Sequence, residues 1–332
     1  MTNDVPDHEA MREAVAFSTR APSLHNVQPW RWEIRDHSLH LVLDRSRPLP
    51  ATDPADRELV FSCGAALHHA ALALTVLGRR TRIRRMPERA TTDLLATIEP
   101  AGHAEPSEAA VALLRAAYGR QADRRRYAAE PVPAATLEQL VRAGTGADVS
   151  ILVAEHDDRY AVARAFAKAA FLHGYSAQYR DELAAWTALD SSSDTGVPAT
   201  STPHPGLRYG DLVLRDFGRV AIAQEEAGSA RTAGSILLVS TEDDDARAHL
   251  AVGEATSIVL CTATFHGLAS CPLSEAFEID STRDALRREV FAGSRHPQIA
   301  MRVGWPPDPR NPPLTPRRPV RELLRDLTEE RS

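Results

Sequence analysis

The chain has 332 residues, 43% of them hydrophobic, with a formal net charge of −6 and a pI near 6.1. That length suits one large domain or two ordinary ones with a substantial core, and the acidic balance gives no global attraction for nucleic acid. No apolar run reads as long enough to cross a bilayer, the Asp- and Glu-rich beginning has no signal-peptide pattern, and Cys63, Cys261 and Cys271 form no C-x-x-C pair, so a cytoplasmic protein with reduced, buried thiols is expected.

Taken in chain order, Glu9 to Thr19 reads as a helix and Ala21 to Trp30 as a short non-helical segment. Pro22 and Pro29 fix two φ angles and push Ala21 and Gln28 toward extended backbone, which holds Ser23, Asn26 and Gln28 at low entropic cost. On residue types alone this is a capped loop; its directed polar groups also suit a planar heterocycle. Trp30 to Arg35 alternates, Asp36-His37-Ser38 turns, and Leu39 to Leu43 returns, predicting a hairpin with one buried face. Asp53 to Gly78 reads as a long helix with Asp53 as N-cap and Pro54 at its first position. Further helices are predicted at Glu108 to Tyr118, Ala134 to Ala143, Asp158 to Phe171 and Thr282 to Phe291, and buried strands at Val149 to Val153, Ser235 to Val239 and Ile299 to Val303. The architecture is α+β.

Glu242 to Gly267 repeats the long helix. The two segments align without a gap at one offset: Thr52 falls on Thr241, Asp56 on Asp245, Gly64 on Gly253 and Gly78 on Gly267. The coincidences imply a duplicated unit whose Ala- and Gly-rich helices pack along their length at the centre of a two-fold pseudo-symmetric molecule. The segment from about 186 to 216, rich in Ser, Pro and Gly, has no counterpart in the first half. His68-His69, with Cys63 one turn earlier, could be read as ligands, but neighbours on a helix diverge by about 100° and no acidic partner accompanies them. No metal is therefore expected. G-x-S-x-G, H-E-x-x-H, Walker A and G-x-G-x-x-G patterns do not occur.

Ala21-Pro22-Ser23-Leu24-His25-Asn26-Val27-Gln28-Pro29-Trp30 closely resembles the A-P-S-x-x-N-x-Q-P-W segment of the nitroreductase superfamily, which lies along the flavin of FMN. Arg120 to Tyr127 resembles the R-R-S-x-R-x-F segment that opens most of these proteins, with Asp123 where Ser is usual. Guanidinium forks suit phosphate, and the resemblance implies that one or more of Arg120, Arg124 and Arg125 reach it, although a solvated charge run has the same composition. Gly267 to Phe277 is similar to the family's turn whose backbone N–H points at flavin N5, here from Ser274 or Glu275. Gly304-Trp305-Pro306 and Pro316-Arg317-Arg318-Pro319 resemble its closing signatures, where an Arg again reaches the phosphate.

The first half has the loop but lacks the opening arginines, while the second has the arginines, N5 turn and closing Arg317-Arg318 but no loop. The resemblance is to the fused, Acg-type branch. It implies a nitroreductase-like fold with halves at 1–117 and 118–332, an intramolecular pseudo-dimer with one FMN site across the interface, and a lid over the flavin at about 186–216. The implied function is transfer of hydride from NAD(P)H through FMN to a nitroaromatic or quinone-like small aromatic acceptor, in a monomeric protein binding neither nucleic acid nor membrane. The alternative is a closed-lid protein that stores or sequesters FMN. The cofactor carries the chemistry, so no catalytic side chain is assigned.

Overall fold

Alternating apolar residues at Trp30, Trp32 and Ile34 pair with Leu39, Leu41 and Leu43 to give the hairpin β1 (Trp30–Arg35) and β2 (Ser38–Leu43), turned through Asp36 at φ 48° and preceded by α1 (His8–Ser18). The computed structural model describes residues 8–87, 93–189, 193–202, 208–209, 212–213, 215–217, 234–308 and 312–328; the remainder of the sequence, including 190–192 and 203–207 of the expected lid, lies outside it. The chain continues through α2 (Arg57–Val76), β3 (Arg79–Arg85), β4 (Leu94–His103), α3 (Glu108–Gly119), α4 (Ala134–Gly144) and β5 (Val149–Ala154). Next come α5 (His156–Tyr175), α6 (Ala177–Trp186) and four short strands, β6 (Thr187–Leu189), β7 (Val197–Pro198), β8 (Arg208–Tyr209) and β9 (Leu212–Val213). It closes with β10 (Ser235–Thr241), α7 (Ala246–Phe265), β11 (Ala269–Leu273), α8 (Asp280–Glu289), β12 (His296–Gly304), α9 (Val320–Leu323) and β13 (Leu324–Asp326).

Two sheets repeat one topology. In the first the order is β13-β1-β2-β4-β3, in the second β11-β12-β10-β5, so β1, β2, α2, β3 and β4 correspond to β5, β10, α7, β11 and β12. Within these two sheets the pairings among the described residues are antiparallel except the one that joins the halves: β13, at the far end of the chain, adds in parallel to β1, with Leu324 opposite Trp32. The first sheet buries one face, against α1 and α2, and its strand β1 alternates accordingly. The second is covered on both faces: Leu237, Val239 and Met301 face α4 and α7, and Ile236, Leu238 and Ala300 face α5 and α8. That difference explains why β10 reads as a continuous apolar run and β1 as an alternating one.

The predicted central helix pair is present, with bounds at the same offset of 189: Arg57 falls on Ala246 and Val76 on Phe265. A Cβ added to Gly64 would lie 2.1 Å from the Leu250 carbonyl oxygen, and one added to Gly253 would lie 1.9 Å from that of Phe61. These are mirror contacts, since Phe61 corresponds to Leu250. His68 Nδ1 and Ser257 Oγ, also corresponding positions, meet at 2.8 Å, and both helices end on a left-handed glycine, Gly78 at φ 76° and Gly267 at φ 74°.

Three expectations are corrected. α2 begins at Arg57, four residues after Asp53, because Asp53 caps it from outside the first turn: its carboxylate accepts from the Leu59 N–H at 2.9 Å. The segment from Gly267 includes a full strand, β11, and β3 escaped prediction because five of its seven residues are arginine. α2 and α7 are each long and apolar enough, by length and composition, to cross a membrane; here most of that surface is buried in the protein.

Because backbone atoms block the space at both glycines, neither helix can relieve a methyl group by rotating a side chain. Gly253→Ala is expected to cost roughly 3 kcal/mol, and Gly64→Ala a similar amount, both read as lower urea midpoints. A loss under about 1 kcal/mol in both variants would show that the helices part without penalty.

Candidate cofactor site

The segment between the two prolines is a tight, partly left-handed loop. Leu24–Asn26 form a single 3-10 turn, and His25, Asn26 and Gln28 have φ of 47°, 55° and 54°. Gln28 was expected to be extended before Pro29; instead its N–H donates to Ser23 Oγ at 3.0 Å, which closes the loop on itself. The Leu24 N–H donates to Ser62 Oγ at 3.2 Å and fixes the loop against α2.

That contact builds one wall of a cavity that opens partly to solvent. Pro22, Ser23 and His25 contribute from the loop, Glu58, Phe61, Ser62 and Ala65 from α2, and Gly253 and Thr256 from α7. The other walls are Cys271 to Glu275, Arg124, Phe166 on α5, and Arg215 and Phe217 after β9. The cavity therefore draws on both halves, and of the sequence-predicted residues it brings together Ser23, Arg124, Ser274 and Glu275.

Asn26 and Gln28 face elsewhere and spend their polar atoms on the protein. Asn26 Nδ2 donates to the carbonyls of Gly196 and Pro316, at 3.1 and 3.0 Å, and its Oδ1 accepts from Arg317 at 3.1 Å. Gln28 Nε2 donates to the Asp194 carbonyl at 2.9 Å, and Oε1 accepts from the Arg318 N–H at 2.9 Å. These two side chains tie the loop to the 194–196 segment and to the C-terminal crossover that leads to β13.

The predicted arginines divide sharply. Arg125 is forked onto Asp123, with Nη2 2.7 Å from Oδ2, and reaches Asp308 at 3.2 Å; Arg318 lies 3.5 Å from Asp44 and 3.6 Å from Glu322. Arg124 donates to the Ser201 carbonyl at 3.3 Å and stacks over Phe217 at 5.1 Å. Arg120 and Arg317 face no carboxylate in these contacts. Nε and Nη1 of Arg120 and Nε of Arg317 are buried without a hydrogen-bond partner, as is Nε of Arg318 despite its nearby carboxylates, and so is Nε of Arg20, which immediately precedes the loop. Burial pulls the Arg120 guanidinium below its usual range, and repulsion from Arg20 and Arg124 adds to this. Burial, then Arg120 and Arg20, pull Arg317 down well below its usual range. Three clustered cations with unsatisfied donors thus lie beside the cavity wall at Arg124 and Cys271, an arrangement that is costly without a counter-charge.

Over the Ser274 side lies a buried network that motif reading also missed, because its members are scattered through the chain. Arg215 donates to Glu278, to the Tyr179 hydroxyl and, at 3.1 Å, to Ser274 Oγ. His173 Nε2 lies 3.2 Å from Glu278 and its ring stacks on Tyr179 with centroids 3.7 Å apart. Burial opposes ionisation of Glu278, but Arg215 and His173 hold it down to about 2. His25, in the cavity, is held down to about 3, first by burial and then by Arg215.

The symmetry-related position is built differently. At the offset of 189, Ser274 corresponds to Arg85 and Ala65 to Glu254. Where the cavity has two small residues, its mirror image has a forked ion pair, with Arg85 Nε and Nη2 donating to Glu254 at 2.6 and 2.7 Å.

His68, His69 and Cys261 offer ligand atoms within 4.8 Å of one another, closer than adjacency on one helix suggests, because α7 supplies Cys261 while Cys63 turns to the Pro29 carbonyl. His68 is engaged by Ser257, and burial, then His68, Arg120 and Arg317, hold His69 well below its usual range. That positive field opposes a cation.

No protein-family model matches the chain. A protein of Mycobacterium tuberculosis strain H37Rv, provisionally named NAD(P)H nitroreductase Rv3131, is 39% identical over 329 residues, covering 98% of this chain and 93% of its own. The protein of the same strain provisionally named NAD(P)H nitroreductase acg is 34% identical over 325 residues, covering 95% of each. Among solved structures, the FMN-dependent nitroreductase NfnB of Mycobacterium smegmatis, in complex with NADPH, is 19% identical, covers 66% of this chain and 99% of its own, and superposes with a TM-score of 0.41.

The division of the arginines sets opposite expectations for stability. Arg120→Met should stabilise the ligand-free chain by about 1 kcal/mol and remove the stabilisation given by added inorganic phosphate. Arg125→Met should cost about 1 to 3 kcal/mol, because Asp123 loses its partner, and should leave the phosphate effect in place. Urea unfolding with and without phosphate measures both; equal shifts for the two variants would contradict the division.

Proposed function

The chain belongs to the nitroreductase family, in the branch that includes Acg, and from that membership we infer an FMN-dependent oxidoreductase that passes hydride from NAD(P)H to a nitroaromatic or quinone-like acceptor. The observation that carries the reading is the set of orphaned guanidinium donors on Arg120, Arg317 and Arg20 beside a cavity walled by Phe61, Phe166 and Phe217. A flat aromatic system with a doubly charged phosphate answers both needs: the ring takes the cavity, and the phosphate relieves the repulsion among the arginines.

When bound, FMN supplies the two-electron exchange, and the chain supplies position and field. Ser23 and the left-handed loop would hold the ring from the α2 side of the cavity, and the turn at Ser274 and Glu275 would offer it a backbone N–H donor. Arg124 lies between cavity and cluster and would neutralise charge along the ribityl phosphate. Asn26 and Gln28 act one step removed, by holding the loop to the C-terminal crossover.

The halves 1–117 and 118–332 are read as the intramolecular equivalent of two subunits, with one complete site. The Arg85–Glu254 pair closes the other. The segment from about 186 to 216 is read as a lid: Asp194 and Gly196 accept from the loop, Ser201 accepts from Arg124, and Arg215 is anchored by Glu278 and Tyr179. That anchoring also favours the second reading, in which the protein sequesters FMN in the cytoplasm. The chain is read as a monomer.

Purified protein is expected to carry one FMN per chain, and NADPH added anaerobically to bleach the flavin band; persistent colour would favour sequestration. Arg120→Ala and Arg317→Ala should each weaken FMN binding roughly 10- to 100-fold, whereas Arg125→Ala should not. Two flavins per chain, or unchanged affinity in both variants, would overturn the site. Replacing Arg215 with Ala should speed FMN release in stopped-flow dilution if the segment is a lid, and leave it unchanged if it is not.

A further inference from the structure

The flavin reading leaves two buried carboxyls in the cavity without a role. Glu275, which opens the 3-10 turn Glu275–Phe277 after β11, is 4% exposed, and Glu58, in the first turn of α2, is 3% exposed. Both line the cavity, and each has one buried carboxyl oxygen, Oε2 of Glu275 and Oε1 of Glu58, with no hydrogen-bond partner. An orphaned carboxyl oxygen is costly to bury. A ligand that accepts a hydrogen bond or a proton would satisfy it.

The reaction has a use for such a donor. A quinone or nitro acceptor takes up a hydride and a proton for each two-electron step, and a carboxyl that lines the cavity can supply the proton. We propose that Glu275 is the catalytic acid that protonates the acceptor oxygen as hydride arrives from the nicotinamide-reduced flavin, a role that rests on the flavin reading of the cavity. The Glu275 O–H bond breaks as the acceptor O–H bond forms. The acceptor gains two electrons and two hydrogens, and Glu275 is left as a carboxylate that takes a proton back from solvent.

The surroundings separate the two carboxyls. Burial raises Glu275, Arg215 pulls it back, and Glu278 and Asp216 raise it again, leaving it at about 7; Tyr179 on α6 also faces it. Such a group is protonated often enough to donate and acidic enough to let go, and Arg215 stabilises the carboxylate that remains. Glu58 is pushed well above the usual range by burial and by Glu278, with Arg57 and Arg215 opposing and Asp53 adding to the rise.

The active form is the acid, so the acceptor step should slow as pH rises through about 7. The test reduces the flavin-loaded full chain with dithionite, so that nicotinamide specificity does not enter, and mixes it anaerobically with a simple quinone at a series of pH values. Glu275→Gln should reoxidise roughly 100-fold more slowly on the acid side and lose the pH dependence, while Glu275→Asp should retain it. A second readout needs no turnover: the carboxylic C=O infrared band that Glu275→Gln removes should titrate near neutrality in the wild-type chain. Wild-type rates and pH profile in Glu275→Gln, or titration of that band in the ordinary carboxyl range, overturn the role of Glu275 alone. Absence of bound flavin would instead overturn the reading of the cavity.

Discussion

The close approach of α2 and α7 at Gly64 and Gly253 is the constraint on which the rest of the structure depends. Each helix presses a glycine against a carbonyl of the other, at distances that leave no room for a methyl group. Two-fold related contacts of this kind fix spacing and register together, because a slide along either helix would move Gly64 off Leu250 and Gly253 off Phe61 at once. The register matters beyond packing, since Glu58, Phe61 and Ala65 on one helix and Gly253 and Thr256 on the other line a single cavity. Its shape is a consequence of how two core helices cross.

Around that rigid pair the site is electrostatically divided. On one side, arginines are buried against one another with donors unmet; on the other, Arg215 is paired with Glu278 and the Tyr179 hydroxyl, and His173 Nε2 lies 3.2 Å from Glu278. The first arrangement sets like charges together at the expense of the ligand-free fold, whereas the second sets a cation against a carboxylate. The same contrast separates Arg120 from Arg125, five residues apart, because one lies among cations and the other beside Asp123.

Much of this was legible in the sequence, and the failures have physical causes. Periodicity located the β1–β2 hairpin and the strands β5, β10 and β12, because burial of one or both faces leaves a direct imprint on residue order. The offset of 189 located the helix pair and its glycines. β3 was missed because an edge strand can carry arginine at most positions and keep its pairing through backbone alone. Arg125 is committed by Asp123, two residues away, and Arg318 in part by Glu322, one turn on, but the contacts to Asp308 and Asp44 come from the far ends of the chain, Asp308 lying 183 positions from Arg125, and no local pattern encodes those. The Arg215 network was hidden for the same reason. The turn that holds Gln28 at φ 54° was hidden by its proline neighbour, whose local preference is overridden by the Ser23 contact.

The Arg85–Glu254 pair carries a consequence for how such a molecule can change over generations. In an assembly of two identical chains, the residue at the Ser274 position of one working site is encoded by the same codon as its mirror position, so serine on one side and arginine on the other cannot coexist. Joining the two copies in one reading frame removes that bond. Each half then accumulates substitutions alone, and a charge that would ruin a cofactor pocket in duplicate can be fixed once, as an internal brace, while the opposite copy keeps its small side chains.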